Sequence, residues 1–141
     1  MSFLVDTNVL SELRKRGRAN ASVRSWAEAT GWNAFHTSWI SIAEMKRGAA
    51  LARRKGQAQA IALDAWIADI VKKLGERVLP VDQSVAEFWS ELMVPDPRPP
   101  LDALIAATAL AHGLTLVTRN IRDFAPTGVP LLDPWAFRDD V

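Results

Sequence analysis

The chain has 141 residues, of which 49% are hydrophobic and 23% charged; a length near this buries about 68% of the extended surface, which excludes a disordered chain and two ordinary cores. Zero cysteines and only two histidines, His36 and His112, exclude disulfides, thiolate metal sites, cysteine nucleophiles and a histidine-rich zinc centre. The net charge of +1 hides an asymmetry: residues 1–60 carry ten Lys/Arg against four Asp/Glu, and residues 61–141 carry seven against twelve, so a basic surface for a polyanionic partner is expected.

Phe3-Leu4-Val5 reads as a buried strand, stopped by the polar run Asp6-Thr7-Asn8. A helix follows with Val9, Leu10 and Leu13 on one face, Arg14, Lys15 and Arg16 towards its end, and Gly17 as its stop. Residues 21–30 form a second helix. Ala34 to Ile40 is a strand interrupted by His36 and Thr37, and Ser41 to Lys55 a helix closed by Gly56. Gln57 to Leu74 carries Ile67, Ile70, Val71 and Leu74 at helical spacing before Gly75. Arg77-Val78-Leu79 is a short strand, and Asp82 caps a helix with the stripe Val85, Phe88, Trp89 and Leu92. Pro95 to Pro100 is a rigid, non-helical connection. Leu101 to His112 is an apolar helix stopped by Gly113, Leu114 to Val117 a buried strand, and Pro130 to Leu132 one more. Short apolar strands alternating with longer helices predict a single α/β domain over residues 1–141, its core spanning about 2–135, with a short, mainly parallel central sheet flanked by helices.

In open parallel sheets, ligands bind beyond the carboxyl ends of the strands. Asp6 follows the first strand, Asn120 and Asp123 follow the Leu114–Val117 strand, and Glu44 and Asp102 sit in the first turns of two helices. Four segments can thus deliver an acid or amide to one edge. Gathered carboxylates repel unless a cation neutralises them, and oxygen donors without Cys or His select Mg²⁺ or Mn²⁺. Each residue also has a purely structural reading. Ser41-x-x-Glu44 is a capping box, Asp102 a favourable first-turn acid, and Asp6 and Asn120 are potential helix caps.

The combination is more specific than its parts. FLVDTNVLSEL (3–13), SWISIAEMKRGAA (38–50), PPLDALIAATALAHGLTLVTRNIRDF (99–124) and PLLDPW (130–135) occur in this order along nearly the whole chain. Together they resemble the PIN-domain ribonucleases, and within them the VapC-type toxins of bacterial toxin–antitoxin pairs. The resemblance implies that Asp6, Glu44 and Asp102 are the acidic metal-site residues. In the fourth position, where many relatives carry aspartate, this chain places Asn120, with Asp123 three residues later. Thr7, Asn8 and Thr118 match groups that orient the acids or the phosphate.

The implied activity is Mg²⁺-dependent hydrolysis of RNA, with Mn²⁺ substituting, by an activated water that leaves a 5′-phosphate and a 3′-hydroxyl. The implied partners are a cognate antitoxin covering the acidic site and a second copy of the chain. Higher assembly is expected with the antitoxin, and operator DNA is reached only through it. MSFLVDTNVL has no basic leader, and Ala103 to Val117, the longest uncharged apolar stretch, is short of the ~20 residues of a membrane span. A cytoplasmic protein without membrane contact is expected. Two other readings stand beside the toxin: a PIN-type nuclease of RNA maturation or DNA flaps, and an interaction module whose acids are mostly caps. A phosphatase of the haloacid-dehalogenase type wants an aspartate two places after Asp6, where this chain has Asn8.

Lys46 and Arg47, just downstream of Glu44, and Arg119 and Arg122, beside the fourth position, are candidates for RNA phosphate contact; a solvated basic face is the alternative for the first pair. Among six tryptophans, Trp66 and Trp89 lie in apolar stripes, and Trp26, Trp32 and Trp39 are expected in packing or a subunit interface. His36 and His112 are given no role.

Overall fold

Five short strands, β1 (Phe3–Val5), β2 (Phe35–Ser38), β3 (Val78–Leu79), β4 (Thr115–Val117) and β5 (Leu131–Leu132), form one parallel sheet in the order β3-β2-β1-β4-β5. The structure is a computed structural model and describes residues 1–138. Central β1 is buried along its whole length, which is why its sequence is an unbroken apolar run rather than an alternation. Its register pairs Phe3 with Phe35 and Thr115, and Val5 with Val117. The order reverses at β1, so the chain leaves β1 and β4 in neighbouring positions at the carboxyl edge.

Successive side chains of β1 face opposite layers. Phe3 and Val5 join a core with Val9, Trp26, Phe35, Ile42, Ile67 and Ile70, drawn from α1 (Thr7–Leu13), α2 (Ala21–Thr30), α3 (Trp39–Arg54) and α4 (Gln59–Leu74). Leu4 faces the other way, to Leu79, Ile105, Ala109, Leu116 and Phe124. That layer holds α6 (Pro100–His112) and α7 (Ile121–Phe124), with α5 (Gln83–Leu92) packed on α6. Trp26 anchors the first core: its ring stacks on Phe35 at 5.0 Å and meets Phe3 edge-on at 5.5 Å.

The helix boundaries correct three expectations. The second strand is shorter than 34–40, because Ser38, its last residue and paired with Leu79, also caps the next helix: its hydroxyl accepts the backbone N–H of Ile40 at 3.0 Å. The helix therefore starts at Trp39 rather than Ser41. Ser41 is buried inside it, so the Ser41–Glu44 capping box does not form and Glu44 stands in the second turn. Finally, α1 ends at Leu13, and Arg16 rather than Gly17 takes the positive φ of the turn after it, at 54°.

Among the described residues, no helix is long and apolar enough to cross a membrane.

Candidate acidic active site

Asp6 is the first residue beyond β1. Its backbone N–H donates to the Val117 carbonyl, continuing the β1–β4 pairing, while its carbonyl accepts from Val9 and Leu10 and starts α1. Its carboxylate accepts the Thr7 backbone N–H at 2.8 Å. The expected cap is therefore real, and the same side chain is also the buried centre of a polar network. Thr118 Oγ1 donates to Asp6 Oδ2 at 2.8 Å, and Asn8 Nδ2 reaches both Thr118 Oγ1 at 3.3 Å and Asp6 Oδ2 at 3.5 Å. Asn8 Oδ1 in turn accepts the Arg119 backbone N–H, and Thr118 Oγ1 accepts that of Asn120. Asp6, Asn8 and Thr118 thus lock the end of β1 to the end of β4.

Thr7 turns outward and donates from Oγ1 to Glu44 Oε1 at 3.0 Å, joining α1 to α3. Asp102 lies in the first turn of α6, behind Pro99 and Pro100. Burial pushes the Asp6 carboxyl up to about 6, against the opposing hydrogen bonds of Thr118 and Thr7, and the charges of Glu44 and Asp102 push the same way. The Asp102 carboxyl is also raised, first by burial and then by Asp123. Asp6 therefore lies in the field of Glu44 and Asp102, and Asp102 in that of Asp123, so four acids from four segments are linked in series.

Among the described residues the two ion pairs are Lys15–Glu12 and Arg53–Asp64, which touch none of these acids. Nor do three acidic or histidine side chains among the described residues stand close enough to chelate one ion as they are. The carboxylates share a field rather than a common point. A hard cation suits the donor set, which is all oxygen and carries unneutralised charge.

Asn120 is placed where a cap of α7 belongs, but its side chain makes no capping bond. Asp123, one turn into α7, is the residue whose charge acts on Asp102. The basic candidates separate. Arg119 lies over the Trp135 ring at 4.8 Å, whereas Arg122 is exposed. Lys46 lines a cleft between α3 and α4 with Trp39 and Lys72, whereas Arg47 lines one on the outside of α3. His36, half-buried on β2 with its Nδ1 unpartnered, and His112, at the end of α6, remain apart from the acids' bonds.

Three polar residues went unrecognised in the sequence. Thr37 Oγ1 donates to the Val5 carbonyl at 2.8 Å and holds β2 against β1 immediately before Asp6. Ser38 caps α3 and sets where Glu44 falls. Arg98 donates from Nε to the Leu92 carbonyl at 2.8 Å and from Nη2 to the Pro126 carbonyl at 3.3 Å, bridging the segments before α6 and after α7. A serine two residues before Ile40 was a signal for the cap. Nothing local marks a long-range bond such as that of Arg98.

The PIN domain model matches residues 3–128. The chain is 33% identical over 138 residues to plasmid stability protein StbB of Pseudomonas syringae pv. tomato, covering 94% of this chain and 98% of that one. It is 31% identical to VapC ribonuclease Y4jK of Sinorhizobium fredii, covering 94% and 97%. Among solved structures, FitAB bound to a DNA fragment superposes with a TM-score of 0.83 at 28% identity, covering 99% of each chain. A single domain with a parallel sheet flanked by helices is the fold shared with that structure. The chain belongs to the PIN-domain family, and its resemblance is to the VapC-type toxins within it.

Proposed function

We propose that this chain is a divalent-metal-dependent endoribonuclease that acts as the toxin of a toxin–antitoxin pair in the cytoplasm, cutting RNA needed for translation and so arresting growth. The observation that carries the reading is the like-charge coupling of Asp6 with Glu44 and Asp102, and of Asp102 with Asp123, with none of these acids in an ion pair among the described residues. A fold that needed these acids only as caps has no reason to assemble them at a cost in mutual repulsion.

Asp6, Asp102 and Glu44 would hold Mg²⁺, or Mn²⁺ in its place, and Asp123 rather than the uncharged Asn120 supplies the fourth acid. When bound, such an ion neutralises the developing phosphorane charge and makes water a better nucleophile. The protein's own part is positional. Thr118 and Asn8 fix the Asp6 carboxylate, so its orientation is set before substrate arrives. Thr7 holds Glu44 on the α1 side of α3. Asp6 offers an ionised oxygen above about pH 6 and a protonated one below it. Direct attack by water, yielding 5′-phosphate and 3′-hydroxyl ends, is the step proposed.

The cognate antitoxin is the protein partner, as with the FitAB complex; DNA is reached only through it. A homodimer is part of the reading: Trp39, Val81, Phe88 and Leu101 remain exposed at the starts of α3 and α6, after β3 and on α5. The test is brief induction of the wild type and of Asp102→Asn, with mapping of cellular RNA ends. Growth arrest with new 5′-phosphate ends for the wild type alone is expected. Full arrest by a soluble, folded Asp102→Asn protein would remove the mechanism.

A further inference from the structure

Helix α3 carries both the acid Glu44 and a group of cations, and its geometry divides those cations into two sets. At 3.6 residues per turn, Arg47, Leu51 and Arg54 follow Glu44 at spacings of three, seven and ten, all on the same flank of the helix. Glu44 is fixed on the α1 side by its bond from Thr7. Lys46 falls on the opposite side and lines the α3–α4 cleft, while Arg53, paired with Asp64 of α4, borders the clefts on both sides of the helix. The outer flank bears a separate cleft of about 590 Å³, lined by Arg47, Ala50, Leu51, Arg53 and Arg54. Arg47 and Arg54 are exposed, and among the described residues neither is in an ion pair.

We propose that this outer flank of α3 is a track for the backbone of single-stranded RNA leading away from the acidic site, with Arg47 and Arg54 as its phosphate contacts. The proposal rests on the nuclease reading and deepens it. Arg47 lies about 4.5 Å of helix rise beyond Glu44 and Arg54 about 10.5 Å beyond Arg47. That spacing matches on the order of two to three nucleotides of extended strand beyond the bond to be cut. Guanidinium groups suit the task, since each can grip a phosphate through two parallel hydrogen bonds. Leu51, 41% exposed between them, offers an apolar surface for a ribose or base, which a duplex would keep turned inward. Continuity with Glu44 along one helix favours the substrate over an acidic protein segment as the occupant.

The experiment is fluorescence anisotropy of a 12-nucleotide oligouridylate against the full chain in EDTA, so that no cleavage intervenes, over a series of salt concentrations. Arg47→Gln and Arg54→Gln should each weaken binding about fivefold at 0.1 M salt and lower the slope of log K against log salt by about 0.7. Lys46→Gln, on the far side, should change binding less than twofold. Equal losses at all three positions, or none at Arg47 and Arg54, overturn the track. So does a loss seen equally with duplex DNA or polyglutamate. The nuclease reading is judged separately, by cleavage in Mn²⁺: normal cleavage with no arginine effect overturns the track alone, and binding with the expected losses but no cleavage overturns the nuclease alone.

Discussion

Thr118 Oγ1 lies 2.8 Å from Asp6 Oδ2 and donates to it, with both residues buried and 112 positions apart in the chain. A neutral hydroxyl is thus the buried partner of a carboxylate that burial would otherwise protonate. Thr118→Val keeps the shape and removes the donor. It should destabilise the protein by about 1.5–3 kcal/mol, the usual worth of a hydrogen bond to a charged group. It should also push the Asp6 carboxyl above its present value of about 6. Thr118→Ser should restore both. Urea melts and the acid limb of the pH–rate profile, which should move to higher pH in Thr118→Val alone, check this.

The raised Asp6 carboxyl makes a prediction for the metal-free protein. Its value in the folded state, about 6, exceeds the ordinary 3.8 of the unfolded chain, so the folded state binds more protons between them. Stability is then fully present below the unfolded value and is lost as pH rises through about 6. The contribution is on the order of 3 kcal/mol, and Asp102, also raised, acts in the same direction. Wild type in EDTA should melt higher at pH 5 than at pH 7.5, and Asp6→Asn should flatten that difference. A wild type more stable at pH 7.5, with Asp6→Asn unchanged, would contradict the electrostatic account.

The strands and the placing of Asp6 beyond β1 and of Asp102 in the first turn of α6 were legible in the chain because both follow from short-range signals. An apolar run interrupted by Asp-Thr-Asn is a strand meeting a polar edge, and Pro-Pro-Leu-Asp is a helix start. The start of α3 was misread because Ser38 and Ser41 both offer a hydroxyl at a plausible cap, and where β2 ends, in its long-range pairing of Ser38 with Leu79, has no local signal. Burial then leaves Ser41 Oγ without a partner, one turn before Glu44. The effect of the Asp123 charge on Asp102 was equally hidden, since it depends on how α7 packs beside α6. Bonds such as that of Thr37 to Val5 and those of Arg98 join segments far apart, and no local pattern encodes them.

Arg98 ties the Leu92 and Pro126 carbonyls together, and Asp102 on α6 and Asp123 on α7 follow and precede the segments it joins. Their like charges favour separation, which the guanidinium resists. Arg98→Ala should therefore lower stability by about 1–3 kcal/mol and weaken Mn²⁺ binding severalfold, with Arg98→Lys intermediate. Calorimetric titration of Mn²⁺ separates the two effects. A lowered melting temperature with unchanged Mn²⁺ affinity would confine Arg98 to holding the fold.

Phe88 on α5 and Leu101 at the start of α6 are apolar and exposed on a tightly packed helix pair. If they meet a second copy, the wild type should sediment as a dimer at micromolar concentration, and Phe88→Glu combined with Leu101→Glu as a monomer with an unchanged fold. A wild type that stays monomeric would assign these faces to antitoxin contact or to solvent.

The shared acidic site is tested most directly by thermal melts of wild type, Asp102→Asn and Glu44→Ala, each with and without Mn²⁺. Linkage predicts that Mn²⁺ raises the wild-type melting temperature and does so much less in either variant. Without metal, Asp102→Asn should be neutral or stabilising within about a kcal/mol, because it relieves repulsion and keeps the shape. Equal Mn²⁺ shifts in all three proteins would leave these acids as separate structural residues and contradict the account.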